Sequence, residues 1–382
     1  MDFQIARASI HNTVEVLDLF SAAYTGNYPD RSFADSKSYK EALDDKGRRI
    51  YLAKLNDKTI ASLVFYYNEE HKLAKASSAV VDPAFRGHGI TQELIKYGLN
   101  DLNETTAGVE VVYITTRTVH KAAQVLTAKM GFRQLGIFPN VHKTKDYETH
   151  ALAAMYLPGA LNKRYSDFEQ HPDIFSLFKI VQENIELPNM DKAELWHQKN
   201  YTGAVPCLEI IDHAPMLVNK RYQTLKDAAE IDLAFFPFHK PNLWITSPEQ
   251  NIEVFCYVNE VDKHCVILGC KIDREVSFTS LFLTVSNLLR DRGIRYIELI
   301  IRANRMNILN KVLKAKFIPC GYLPAFQYEH GKRYDYVVFS RSFEILDFNN
   351  LELTGENQKY LRNYIGLWES KFLGGYFKND YR

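Results

Sequence analysis

The sequence is short of cysteine: five in 382 residues, Cys207, Cys256, Cys265, Cys270 and Cys320, all in the second half and none in a CxxC pair. An odd set without paired spacing excludes a disulfide framework and a zinc knuckle and points to reduced, buried thiols. No metal is expected. A surplus of either charge is also missing, since 47 Lys+Arg against 46 Asp+Glu leave a formal net charge of +1. A protein that tracks phosphates carries a basic excess, so no nucleic-acid partner is expected. No run approaches the ~18 apolar residues of a membrane span, and the opening residues MDFQIARASIHNT lack the apolar centre of a leader peptide. No membrane partner is expected, and the chain reads as cytoplasmic. What it does have is apolar material, 46% hydrophobic and 13% aromatic. That suffices for sizeable cores in two domains of about 150–200 residues.

Hydrophobic periodicity divides the first 157 residues into a short strand at 3–6, a helix through Val14, Leu17, Leu19 and Phe20, and strands at 50–55, 60–67 and 73–81. A helix follows with Ile90, Leu94, Ile95, Leu99 and Leu102 on one face. Then come a strand at 109–115, a helix over 118–130 that stops at Gly131, and strands near 133–138 and 147–156. The order β-α-β-β-β-α-β-α-β-β is an α/β arrangement. Residues 158–204, bracketed by Pro158, Pro172 and Pro188, read as a connector with its own helix, and 347–382 as a C-terminal helical extension.

Between them, residues 205–346 repeat the first block. A shift of 185 residues aligns Gly108 with Gly293, Arg117 with Arg302, Lys129 with Lys314, Phe132 with Phe317, Gly136 with Gly321 and Pro139 with Pro324, without a gap.

The chemistry concentrates in Val81-Asp82-Pro83-Ala84-Phe85-Arg86-Gly87-His88-Gly89-Ile90-Thr91. A strand ends at a proline, a glycine-rich turn follows, and an amphipathic helix begins at once. Glycines at 87 and 89 permit positive φ and close approach of an anion, and the first N–H groups of the helix, with its dipole, favour negative charge. Arg86 adds a cation. No Gly-Lys-Ser/Thr follows, so this is not a Walker loop, and the third glycine of a dinucleotide fingerprint is missing.

This string resembles the acetyl-CoA loop of the GNAT N-acetyltransferase superfamily, R/Q-x-x-G-x-G/A after a Val-x-Pro strand end. Ala123, Leu126, Lys129, Gly131 and Phe132, followed by Gly136, resemble the family's later helix ending in Gly-Phe. The resemblance implies two such folds in tandem, each a mixed, mostly antiparallel sheet flanked by helices. It implies acetyl-CoA as co-substrate. Backbone amides of Ala79, Val80 and Val81 would hold the pantetheine arm, and Arg86, Gly87, His88, Gly89, Ile90 and Thr91 would hold the pyrophosphate. Two departures stand out: Thr91 replaces a final Gly/Ala, and Thr127 stands where many relatives carry a tyrosine that protonates the leaving thiolate. In the second half the same shift turns Gly87 and Gly89 into Ile272 and Arg274, so that half is expected to be degenerate as a cofactor site.

Acyl transfer to an amine needs a base. His120, at the start of the helix after the 109–115 strand, is one candidate. Glu148 and His150, two apart and therefore on one face of a strand, are a candidate base and orienting partner. Asp30, Arg31 and Asp35, with Tyr24 and Tyr28, form a polar aromatic segment that reads equally as a pocket cap or a surface loop. The aromatics of 222–256 (Tyr222, Phe235, Phe236, Phe238, Trp244, Phe255) read as core. The expectation is an acetyl-CoA-dependent N-acetyltransferase for a small amine or amino-acid-like acceptor, with a homodimer left open. Transfer from a carrier-bound donor and a non-catalytic CoA-sensing or partner-binding module are the alternatives.

Overall fold

A computed structural model describes residues 2–24, 28, 30–143, 146–194, 204–232, 236–272 and 276–374. The first half comprises β1 (Gln4–Arg7), α1 (Thr13–Tyr24), α2 (Ser36–Asp44), β2 (Arg48–Leu55), β3 (Lys58–Asn68), β4 (Leu73–Val81), α3 (Ile90–Thr105), β5 (Val111–Arg117), α4 (Ala122–Lys129), β6 (Arg133–Lys143) and β7 (Tyr147–Tyr156). A linking helix, α5 (Pro172–Ile185), leads to β8 (Glu209–Ile211), α6 (Pro215–Asp227), β9 (Leu243–Thr246), β10 (Glu253–Asn259) and β11 (His264–Lys271). Then follow α7 (Phe278–Asp291), β12 (Tyr296–Arg302), α8 (Met306–Lys314), β13 (Ile318–Glu329), β14 (Lys332–Ser342) and α9 (Gly355–Phe372).

Two differences from the periodicity reading have plain causes. Asp35 lies not in a loop but at the N-cap of α2, accepting a hydrogen bond from Ser38 N at 2.8 Å. The strand expected to end near 138 runs on to Lys143 because a bulge absorbs the irregular stretch, with Asn140 at φ +58°.

All 14 strands form one sheet in the order β1-β2-β3-β4-β5-β7-β6-β13-β14-β12-β11-β10-β9-β8. Its midpoint is the pairing of β6 with β13 through Gly136 and Gly321, the two residues that a 185-residue shift superposes. No side chain fits there. A Cβ on Gly136 would lie 2.4 Å from the Cys320 carbonyl oxygen.

The internal repeat extends to the irregularities. The β6–β7 ladder shifts register between Gln134 and Gly136 and between Phe138 and His142, and the β13–β14 ladder shifts between Pro319 and Gly321 and between Leu323 and Gln327, each 185 positions on. Asn140 and Ala325, also 185 apart, both take positive φ. Each half therefore follows the same path, and the two meet edge to edge about a pseudo-twofold axis.

The seam is buried and polar as well as apolar. Tyr113, Leu135, Ile137 and Leu152 share one core with Leu323, Phe326 and Val338. Arg333, with 0% side-chain exposure, binds Glu110 (2.9 Å) and the carbonyls of Ala325, Phe326 and His71. On the covering side, α9 packs on β6 and β13 beside α5, and the Tyr360 hydroxyl donates to the Gln134 carbonyl at 2.6 Å. The long sheet is thus one packed unit at its centre.

Candidate active site

The glycine-rich turn leaves the start of α3 without a side-chain cap. Asp82 caps the short turn Pro83–Phe85, accepting from Ala84 N at 3.0 Å, and the chain then passes through Gly87 (φ +83°) and Gly89 (φ +76°) into α3. Gly89 is the N-cap of α3 in the left-handed region and offers no side chain to the first-turn N–H groups. Those groups face open space, since a Cβ on either glycine would meet nothing within 4 Å. Left-handed backbone, not crowding, is what requires glycine at both positions. The exposed His88 ring folds back on the Phe85 and Arg86 carbonyls (3.2 and 3.0 Å), and exposed Arg86 reaches the Val81 carbonyl at 3.4 Å. Ile90 is buried under α3 and Thr91 lines the cavity described below.

Immediately before this turn, β4 and β5 part. They pair in parallel from Leu73–Val111 to Ala76–Ile114 and no further, leaving Ser77–Val81 and Thr115–Arg117 without each other. A bulge in the β3–β4 ladder sets Ser78 and Ala79 opposite Leu63 alone, with Ser78 at φ +52°. Exposed Ala79, buried Val80 and half-buried Val81 therefore edge a slot that leads from the glycine-rich turn into the protein.

The slot opens into a cavity of about 610 Å³, within the range of small-molecule sites. The first half lines it with Tyr24, Tyr28, Ser77, Ser78, Tyr113, Arg117, Thr127, Glu148 and His150. The second half closes it with Phe236, Phe238, Tyr257, His264, Glu298 and Phe326. Two of the aromatics read as core, Phe236 and Phe238, thus face the cavity, while Phe235 lies outside the described residues.

The cavity carries both signs of charge in fixed pairs. Arg117 holds Glu148 with two bonds of 2.7 Å, and Arg48 holds Asp30 at 2.7 Å, so the segment after α1 contributes a wall. His150 Nε2 stands 3.6 Å from Glu148 Oε2, and neither ring nitrogen of His150 has a hydrogen-bond partner among the described residues. Burial pulls the His150 imidazole down to about 4, which keeps it neutral. Burial also raises the phenols of Tyr24 and Tyr28, which stay protonated hydroxyls. Thr127 is buried, its hydroxyl donating to the Ala123 and Gln124 carbonyls at 3.0 Å. His120 stands elsewhere: it is 81% exposed, 4.0 Å from Glu352, and outside the cavity lining.

Sequence reasoning missed a second polar group, in which the cavity-lining His142 and His264 meet Asp262 behind the wall. His142 Nδ1 lies 2.5 Å from Oδ2 of Asp262, a carboxylate with 0% side-chain exposure from the turn before β11. His264 adjoins them, and burial holds its ring near 4. Burial pushes the Glu298 carboxyl up to about 7 and draws the Lys75 ammonium down. His142 and Asp262 are 120 residues apart. No local spacing signals their contact, because only the β6–β13 seam brings them together.

In the second half the corresponding helix starts differently among the described residues. Helix α7 begins at Ser277, whose side chain accepts from Ser280 N at 3.3 Å, so one first-turn donor is already bonded. Ile272 is half-buried, while Arg274 lies outside the described residues.

Residues 13–132 match the family described as "Acetyltransferase (GNAT) family". No curated protein matches the chain. Similar solved structures include a ribosomal-protein-alanine N-acetyltransferase from Brucella melitensis (15% identity, TM-score 0.36, 40% of this chain and 99% of that one). Others are an N-acetyltransferase from Staphylococcus aureus (16%, 0.36, 41% and 99%) and a point mutant of a spermidine N-acetyltransferase from Vibrio cholerae (17%, 0.36, 40% and 93%).

Proposed function

We propose that the chain is an acyltransferase that acetylates a small amine held in the cavity between its halves, a reading supported by the match of residues 13–132 to the GNAT acetyltransferase family. Enzymes of this family use acetyl-CoA as co-substrate, which supplies the acetyl group already activated as a thioester. The observation that carries the reading is the succession of uncapped helix start, splayed strands and adjoining cavity.

The residues divide the work by position. Arg86, Gly87, His88, Gly89, Ile90 and Thr91 would hold the pyrophosphate, with the α3 N–H groups as donors. Ala79, Val80 and Val81 would present backbone groups to the pantetheine arm along the unpaired end of β4. The cavity then receives the acceptor. Its aromatic walls suit an apolar body, and its buried charges select an acceptor that brings charge of its own, as an amino-acid-like molecule does.

Of the sequence candidates, His150 with Glu148 fits proton removal best. Both line the cavity, and the His150 ring has unpartnered nitrogens to offer. A proton taken there places positive charge 3.6 Å from Glu148, which offsets part of the cost of charging a buried ring. His120 is the weaker candidate on exposure and position alone.

We also propose the division 1–157, 158–204, 205–346 and 347–382, with the second GNAT-like half serving as the acceptor's wall. The direct test is release of CoA thiol from acetyl-CoA across a panel of amines, with Phe238→Trp as a cavity-filling variant. Turnover with a small amine, lowered at least about 10-fold by Phe238→Trp through the amine's KM while acetyl-CoA binding persists, is the expected result. Turnover unaffected by the filled cavity would place the acceptor elsewhere and overturn the reading.

A further inference from the structure

The cavity wall contains a group of side chains that acetyl transfer does not use. His142 comes from the end of β6 in the first half, and Asp262 and His264 from the turn and start of β11 in the second. One ligating atom of each lies within 4.8 Å of the others. Oδ1 of Asp262 and Nε2 of His264 are buried with no hydrogen-bond partner among the described residues. Each such orphan costs about 1–3 kcal/mol if nothing satisfies it. Two such orphans within one cluster of potential ligands indicate a partner that accepts lone pairs.

We propose that His142, Asp262 and His264 form a divalent transition-metal site, best suited to zinc, that joins the two halves at the cavity wall. Two imidazoles and one carboxylate are a borderline donor set that suits zinc, whereas calcium and magnesium prefer oxygen. Three protein ligands leave a coordination position open towards the cavity, the pattern of zinc sites that bind a small molecule. Tetrahedral bonds of about 2.0–2.1 Å would hold the ligating atoms about 3.3 Å apart. His142 and Asp262 would therefore separate slightly and His264 close in. The His142 ring, 27% exposed, has room to turn.

The surroundings fit as well. Glu298 Oε2 stands 3.9 Å from His264 Nε2 and brings a further carboxylate to the same wall. His150 packs on the His142 ring with centroids 4.8 Å apart. The site is distinct from the anion cradle, shares no residue with it, and does not depend on which amine is acetylated. A cation there would anchor a carboxylate or other donor group of a molecule in the cavity. It also ties together two halves that otherwise meet through one strand pair and buried contacts.

The test uses the full-length chain, stripped with a chelator, carrying Cys207→Ser to remove an exposed thiol that binds metal adventitiously. Zinc is titrated by competition with a chromophoric indicator, and cobalt is added separately as a spectroscopic probe. The expected result is one zinc per chain and a cobalt absorption of tetrahedral intensity. Affinity should fall at least about 100-fold in both Asp262→Asn and His264→Gln, while acetyl-CoA binding, a measure of folding, stays intact. The proposal fails if the parent takes up no stoichiometric metal, or if the variants bind it as tightly as the parent. Should either variant lose acetyl-CoA binding, His142→Gln on its more exposed ring replaces it, with the same criterion.

Discussion

Helices α3 and α7 occupy corresponding places in the two halves, yet they begin in opposite ways. The first starts from Gly89 in the left-handed region, with no capping side chain and open space before it. The second starts from Ser277, which bonds a donor of its own first turn. A helix that caps itself gains stability, typically about 1 kcal/mol, and gives up its N-terminus as an anion site. A helix that forgoes the cap keeps its donors for a ligand. The same strand order is present twice and the uncapped helix start once among the described residues. The freed half closes the cavity with Phe236, Phe238, His264 and Glu298.

Four changes break or sharpen this comparison. Gly89→Glu places a carboxylate and a strained backbone in the cradle, and should lower acetyl-CoA affinity at least about 1,000-fold, about 4 kcal/mol by calorimetry. Arg333→Met takes this donor from the carbonyls of Ala325, Phe326 and His71 and leaves Glu110 to its lysine partners. It should cost about 3 kcal/mol in urea unfolding, because buried acceptors are left unsatisfied. Ser277→Ala should cost about 1 kcal/mol in the same assay and leave acetyl-CoA binding unchanged, since Ser277 already caps α7.

The smallest effect is on acid stability. Burial pushes the Glu110 carboxyl up, but the Lys163 and Arg333 hydrogen bonds outweigh it and bring it to about 2. Folded Glu110 binds its proton less readily than unfolded Glu110. Its stabilisation is therefore full above the ordinary value of 4.5 and is lost as pH falls from there towards 2. Glu110→Gln should flatten that part of a stability-against-pH curve.

The residues readable in the sequence are those whose roles are local. The turn could be found because a strand end, two glycines and a helix start are consecutive, and Gly87 and Gly89 take the positive φ expected of them. The internal repeat could be found because equivalent residues keep one spacing, down to the bulges at Phe138–His142 and Leu323–Gln327. The cavity could not. Phe238 looks like any core aromatic until the seam turns it towards Tyr113, and His142 sits past the point where alternation fades at Asn140. Pairing through Gly136 and Gly321 decides these contacts, and no periodicity encodes which strand edge meets which.

The account turns on one cradle per chain, and titration of the full-length protein with acetyl-CoA tests it most directly. It predicts a single site per chain, present in the parent and in Ser277→Ala and lost in Gly89→Glu. Two sites, or binding that survives Gly89→Glu, would contradict it.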